Sequence, residues 1–159
     1  MKLFNRIFGI AAALLLVCSC TTVIDTETIV GTWEVDRHLT NGWYNDEDGR
    51  QVMSSSTYSE RDKEKDPDVY THLTFNSDGT GVMLSNSYNR EGVLESNETP
   101  FSWSIEDNDL YMNKADGTPL FSANGFDMTL SGSKLFIEKV IKDGNNNFEE
   151  KLVCYRIEE

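Results

Sequence analysis

The side chains best suited to nucleophilic or acid–base chemistry are two histidines, His38 and His72, in a chain that contains 27 acidic residues. A serine hydrolase needs its nucleophile on a sharp turn, and the chain has no Gly-x-Ser-x-Gly sequence. The residues around His72 alternate, so its side chain is expected on the face opposite Leu73, toward solvent. His38 follows the first apolar alternation, where we expect the strand to end. Neither histidine is therefore predicted to be catalytic.

The acidic residues also fail to match a known catalytic or metal-binding arrangement. A glycosidase needs one carboxyl group in an apolar pocket that raises its pKa, whereas alternation places Glu34 and Glu106 on outward faces. Residues 45–49 and 143–147 are rich in oxygen ligands, but neither stretch has the spacing of an EF-hand loop, so turn chemistry explains both. Two histidines and a single unmodified cysteine show no zinc-ligand spacing. The sequence predicts no enzyme, no metal and no cofactor.

The N-terminal segment has the pattern of a secretory signal. Lys2 and Arg6 precede the uncharged stretch at residues 7–17, which is apolar apart from one glycine. This stretch is too short for a membrane-spanning helix, which needs about 18 to 20 apolar residues. The segment therefore predicts export to an oxidising compartment.

The end of this segment resembles the lipobox of bacterial lipoproteins, in which a cysteine follows two small residues. Cys20 fits that pattern, whereas Cys18 would follow the bulky Val17. The resemblance implies thioether lipidation of Cys20 and membrane attachment through several acyl chains, which hold firmly where a single chain does not. Thr21 in the next position favours the outer membrane, and leaves open whether the protein faces the periplasm or the cell surface. Cys154 has no partner cysteine and is expected to be a buried apolar side chain.

The net charge of the chain excludes one class of function, and its length indicates the number of domains. The net charge is −13 at pH 7, and removal of the signal, which carries only basic charges, makes the mature chain more acidic. Such a surface is repelled by nucleic-acid phosphates, so we exclude a nucleic-acid role. A chain of this length is expected to form one domain. The predicted organisation is a signal peptide at residues 1–19, a lipidated cysteine and tether at residues 20–28, and one domain at residues 29–159.

Alternation of apolar and polar residues dominates the mature chain and predicts short strands joined by tight turns. In the clearest case, Phe101, Trp103 and Ile105 alternate with polar residues. About eight such strands predict an all-β, antiparallel, up-and-down eight-stranded barrel, because closure hides sheet edges. Two polar stretches interrupt the pattern. Residues 40–68 are predicted to form a long loop, and residues 87–100 a shorter polar excursion with a small hairpin.

Several of these residues resemble the lipocalins, and more specifically the lipocalin-like lipoproteins of Bacteroidetes. The matching features are Gly31-Thr32-Trp33 at the first strand, the LTFNSDGTG sequence at residues 73–81, and a late Arg156. The resemblance covers residues 29–158 and implies that Gly31, Trp33 and Arg156 form a barrel floor, with the guanidinium packed over the indole ring. The chain has neither the disulfide nor the C-terminal helix of secreted lipocalins. The resemblance implies fold and location rather than one activity.

The expected barrel interior leaves two functions open. Eight-stranded barrels either fill with side chains or enclose one small ligand. The leading hypothesis is non-catalytic binding of a small apolar or amphipathic molecule. The alternative is an interaction module for another envelope protein, with a filled barrel and with aromatic residues of the 40–68 stretch in the interface. The candidate ligand-binding residues in the interior are Phe75, Phe101, Trp103, Phe126 and Tyr155.

Overall fold

The computed structural model describes residues 24–45, 48–53, 56–144 and 146–157. The predicted signal peptide, Cys20 and residues 21–23 of the tether lie outside the described residues. Within the described ranges, no helix is long and apolar enough to cross a membrane.

Within the described part of the chain, one short helix precedes ten strands. The helix α1 (Thr26–Ile29) begins after Asp25, whose carboxylate accepts a hydrogen bond from the Thr28 amide at 2.9 Å, as an N-cap residue does. The strands are β1 (Gly31–Asn45), β2 (Gln51–Met53), β3 (Thr57–Glu60), β4 (Tyr70–Phe75), β5 (Thr80–Tyr88), β6 (Leu94–Glu106), β7 (Asp109–Lys114), β8 (Phe126–Ser131), β9 (Lys134–Asp143) and β10 (Asn146–Arg156).

Eight of these strands close into a barrel. Strands β4 to β10 pair antiparallel in chain order, and β1 completes the circle by pairing with both β4 and β10. Strands β2 and β3 pair only with the C-terminal part of β1, which lies toward the upper end of the barrel, beyond the end of the pairing between β1 and β4. The prediction of an all-β, antiparallel, up-and-down eight-stranded barrel is confirmed.

A β-bulge divides β1 into two parts whose side chains alternate differently. Its register against β10 shifts between Val35 and Arg37, so one extra residue lies opposite the partner strand. Such an insertion reverses which residues face inward. His38 and Thr40 therefore point into the barrel. His38 lies in the middle of a 15-residue strand, which corrects the expectation that the strand ends there.

The two polar stretches are more ordered than the sequence predicts. Residues 40–68 contain the end of β1 together with β2 and β3, so they do not form one long loop. Residues 87–100 belong to a long β5–β6 hairpin whose turn contains Asn89 and Gly92. Polar strand residues at a barrel rim can have water on both faces, so hydrophobic alternation does not reveal them.

The barrel interior is packed with aromatic side chains. Phe75, Phe101, Trp103 and Phe126 are all buried. The ring of Phe75 contacts Phe101 and Trp103 edge-to-face, with centroids 5.6 and 5.5 Å apart. Burial of each ring contributes roughly 1.5–3 kcal/mol. These four residues lie in the barrel interior, as expected, and their role in ligand binding stays a prediction.

The fifth candidate, Tyr155, lies on the outer face of the barrel, which corrects its expected interior position. The inward residues of β10 are buried, and they include Phe148, Glu150, Leu152 and Cys154. Alternation therefore turns Tyr155 outward. The ammonium group of Lys134 lies 5.0 Å from its ring centroid.

The floor of the barrel is formed by Trp33, α1 and Arg156. The Trp33 indole is fully buried, and its N–H donates to the Ile29 carbonyl at 2.8 Å. The Arg156 guanidinium lies 4.3 Å from the indole centroid and donates to the carbonyls of Val30 and Thr28. Gly31, with a φ of 126°, leaves space for this guanidinium, since a Cβ there would lie 2.8 Å from it. The last strand is thus joined to the helix that precedes the first.

Cys154 is expected to resist thiol reagents while the protein is folded. Its side chain is fully buried, and burial raises the pKa of the thiol to about 12. The thiolate, which is the reactive form, is therefore nearly absent at neutral pH. In the chain from Thr21 onward, Ellman's reagent should label no thiol under native conditions and one in guanidinium. Rapid labelling of the folded protein would contradict this burial.

Candidate functional site

The end of the barrel opposite the floor has an incomplete wall. Strands β7 and β8 pair only through Asp109 with Asp127 and Leu110 with Phe126. The connecting residues 115–125, here called the mouth segment, fill the gap beyond these pairs. The Leu120 amide of this segment donates to the carbonyl of Met112 on β7 at 2.8 Å. The mouth segment thus replaces strand pairing with irregular backbone at the barrel mouth.

A buried carboxylate holds the mouth segment against the barrel interior. Glu150 points inward from β10 and is completely inaccessible to solvent. Its Oε1 lies 2.9 Å from His38 Nε2, and its Oε2 accepts from the Ser122 amide at 3.1 Å. Tyr44 adds a second link, since its hydroxyl donates to the Ser122 carbonyl at 2.8 Å. A buried charge is tolerated only when paired in this way, so we assign Glu150 a structural role.

A cavity of about 410 Å³, here called the mouth cavity, lies between the mouth segment and the C-terminal parts of β1 and β9. Its surface combines apolar contributions from Tyr44 and Ile141 with polar groups. That volume falls within the roughly 300–1,000 Å³ of small-molecule sites. The lining residues are Tyr44, Asn45, Tyr111, Pro119, Asn124, Gly125, Lys139 and Ile141.

Lys139 supplies a positive charge at this cavity. It lies on the inward face of β9, and its Nζ donates to the Gly125 carbonyl at 2.6 Å. Among the described residues, no carboxylate lies within ion-pair distance of it. Glu150 is its neighbour in the β9–β10 register, but that carboxylate contacts His38 and Ser122 instead. Two of the three ammonium protons are therefore available to a ligand.

Tyr111 brings a second donor to the same place. A Cβ built on Gly125 would lie 3.3 Å from the Tyr111 hydroxyl and 3.4 Å from Lys139 Nζ. Gly125 has a φ of 67°, which also favours glycine. Because glycine has no side chain, the ammonium and the hydroxyl both border the small space that a Cβ would occupy. This arrangement can bind an anionic oxygen group.

A second, smaller cavity of about 200 Å³ lies beside β1, between β3 and the adjoining ends of β4 and β5. Its charged groups already pair with each other. Arg61 forms an ion pair with the buried Glu34 and donates to the Val69 carbonyl. Tyr70 has His72 stacked on its ring at 4.3 Å. Burial, together with the charges of Arg61 and the nearby lysine, lowers the pKa of His72. We therefore interpret this network as structural.

The structure brings together residues that sequence reasoning did not combine. Lys139 shares the inward face of β9 with Ile137 and Ile141, so alternation could have identified a lysine facing inward. The expected position of Arg156 over Trp33 could have placed Glu150 on the inward face of β10, because the two residues have the same parity, whereas no sequence signal indicated Tyr111. Of the aromatic residues expected in a 40–68 loop, Tyr44 packs at the mouth with its ring 4.9 Å from Phe148. Tyr58 is 61% exposed.

Among the described residues, no three side chains of histidine, cysteine, aspartate or glutamate are grouped to hold a metal ion. A family model for the lipocalin-like domain matches residues 29–137, which is more than half of the chain. A comparison with curated proteins gives no match. The matched region contains the floor residue Trp33, the mouth segment and β1 to β8. The chain therefore belongs to the lipocalin-like domain family.

Proposed function

We propose that this protein binds a small amphipathic molecule with an acidic head group, and that it does so without catalysis. Lipocalin-like barrels are generally non-catalytic binding folds, which supports the general class. The observation that carries the ligand chemistry is Lys139, whose ammonium group lines the mouth cavity without a carboxylate partner among the described residues. Because the chain has a net charge of −13, most of its surface repels anions, whereas the ammonium group of Lys139 attracts them to the mouth cavity.

The mouth cavity has a polar surface for the head group of the proposed ligand and an apolar surface for its hydrocarbon part. Lys139 and the Tyr111 hydroxyl face the acidic head group near Gly125. Tyr44, Pro119 and Ile141 provide apolar surface for a short hydrocarbon or ring. The barrel interior is packed with aromatic rings, so the ligand is placed at the mouth and not deep in the interior.

Decanoate is the probe for this proposal, and decanol is its uncharged control. With the chain from Thr21 to Glu159, isothermal titration should show one decanoate bound per protein and weak or undetectable binding of decanol. Lys139→Met should weaken decanoate binding by at least about tenfold, which corresponds to about 1.4 kcal/mol. Lys142→Met is the matched control, because it removes the same charge from an exposed position on the same strand. Equal binding of acid and alcohol, or equal effects of the two variants, would contradict the proposal.

We further propose that the protein is an outer-membrane lipoprotein of the Bacteroidetes type, attached through Cys20. The lipobox resemblance and Thr21 support this location. Cys20→Ser should move the protein from the membrane fraction to the soluble envelope fraction, because the acyl chains are lost. Ser19→Ala keeps the lipidated cysteine and should leave the protein in the membrane. Retention of the Cys20→Ser protein in the membrane would contradict the anchor.

A further inference from the structure

The β5–β6 hairpin extends beyond the barrel wall as a two-stranded ribbon, residues 87–99. On one side, the pairing of β4 with β5 stops at Tyr70 and Asn86. On the other side, the pairing of β6 with β7 stops at Phe101 and Lys114. Within the ribbon each strand pairs only with the other. The outer edge of β6 from residue 94 to residue 99 is therefore unpaired among the described residues.

The ribbon exposes apolar side chains that the barrel does not cover. Tyr88, Val93 and Leu94 are 50%, 55% and 40% exposed. Tyr88 and Leu94 are directly opposite in the β5–β6 register, so they share one face. An isolated two-stranded hairpin is marginally stable in water, and an exposed edge strand is a template for another chain. The ribbon thus offers both backbone hydrogen-bonding groups and apolar surface to a partner.

The charges of the ribbon indicate which partner fits. Glu91, Glu95 and Glu98 are exposed and outnumber Arg90, the basic residue in the turn of the ribbon, and no basic side chain of the described residues lies within ion-pair distance of them. Glu95 accepts a hydrogen bond from Asn89 across the hairpin at 2.8 Å. Like charges disfavour pairing of this edge with the same edge of a second copy. A strand that carries lysine or arginine would meet complementary charge instead.

We propose that the β6 edge at residues 94–99 binds an extended, basic segment of another protein as an added β-strand. Backbone hydrogen bonds to the unpaired edge supply the binding, as in other strand-addition complexes. Glu95 and Glu98 lie on opposite faces of β6, so each attracts basic side chains on its own face of the added strand. Leu94 and Tyr88 provide an apolar contact at one end. This surface is separate from the mouth cavity and does not depend on the proposed ligand.

The test uses the acetylated, amidated heptapeptide Lys-Val-Val-Lys-Val-Val-Lys as the probe, because its lysines lie on both faces of an extended strand. Its control is the same peptide with an N-methyl group on every internal backbone nitrogen, which keeps every charge but removes the donors from both edges of the added strand. Hydrogen exchange should slow by at least about tenfold at backbone amides within residues 94–99, the size of effect that about 1.4 kcal/mol produces. The N-methylated peptide should give no such protection.

Charge variants separate strand addition from diffuse attraction to an acidic protein. Glu98→Lys should weaken heptapeptide binding by at least about fivefold, whereas Glu64→Lys makes the same charge change at an exposed site away from the ribbon and should have a smaller effect. Equal binding of the two peptides, equal effects of the two variants, or no binding would overturn the proposal. Protection of the same amides by increasing protein concentration alone would assign the edge to a second copy, which would also overturn it.

Discussion

Replacing Trp33 with alanine is expected to lower the free energy of unfolding by about 3–5 kcal/mol, as the removal of a large buried aromatic side chain generally does. The indole fills the floor of the barrel with no exposed surface. The substitution also removes the hydrogen bond to the Ile29 carbonyl and the ring under the Arg156 guanidinium. Three interactions that join α1, β1 and β10 are thus lost together.

Guanidinium unfolding followed by the fluorescence of the remaining tryptophans measures this loss. Trp33→Phe is the matched control, because it keeps an aromatic ring under Arg156 but removes the indole N–H donor. We expect a smaller loss of about 1–3 kcal/mol for that variant, from the unpaired carbonyl and the reduced volume. A loss below about 1 kcal/mol for Trp33→Ala would mean that other side chains close the floor.

The second large effect is expected at Glu150. Glu150→Ala removes the acceptor of the Ser122 amide inside the barrel and the carboxylate 2.9 Å from His38 Nε2, which keeps only the Thr40 hydroxyl at 3.4 Å. Unsatisfied buried polar groups each destabilise by about 1–3 kcal/mol, so we expect a total loss of about 2–4 kcal/mol. Because Glu150 holds the mouth segment, hydrogen exchange at the Ser122 amide should accelerate more than exchange in the strands around the aromatic interior.

Glu150→Gln distinguishes the hydrogen bonds from the charge. The amide oxygen of glutamine can still accept from Ser122, so this variant should lose less stability than Glu150→Ala. Burying a carboxylate is itself unfavourable, which limits the loss further. If Glu150→Ala were as stable as the unchanged protein, the carboxylate would contribute no net stabilisation and the mouth segment would be held by Tyr44 and its apolar residues.

The barrel could be predicted from the sequence because its main determinant is local. Alternation over a few residues identifies a strand, and Asp-Gly pairs identify turns such as the one at Gly79, which has a φ of 81°. Strands joined by short turns must be antiparallel neighbours, so the topology follows from the order of the strands. The rim strands β2 and β3 were not predicted because they are short, polar and exposed.

The interior face of β10 shows how two sequence expectations can conflict. Tyr155 was expected inside, and Arg156 was expected over Trp33. Adjacent strand residues point to opposite faces, so both could not lie on the inner side. The register pairs Trp33 with Arg156, and this fixes Cys154 and Glu150 as inward residues. A check of parity between neighbouring residues would have identified the buried glutamate.

The mouth site depends on features that no local pattern contains. The bulge in β1 reverses the alternation above Val35, and nothing in the sequence marks it. The position of Tyr111 near Lys139 depends on how the mouth segment folds between β7 and β8. Lys139 itself was predictable as an inward residue, but its lack of an ion-pair partner among the described residues is a property of the folded chain.

The connection of α1 to the end of β10 at the floor has a mechanical consequence. A force on the N-terminus pulls along β1, which is paired with β10 over most of its length and with β4 near the floor. The ladder hydrogen bonds run across this direction, so they are loaded together and must yield together. Arg156, bonded to the carbonyls of Thr28 and Val30, transmits part of the load to the last strand before β1 can move. A barrel held at its N-terminus and at the β5–β6 ribbon would therefore resist extension as a unit.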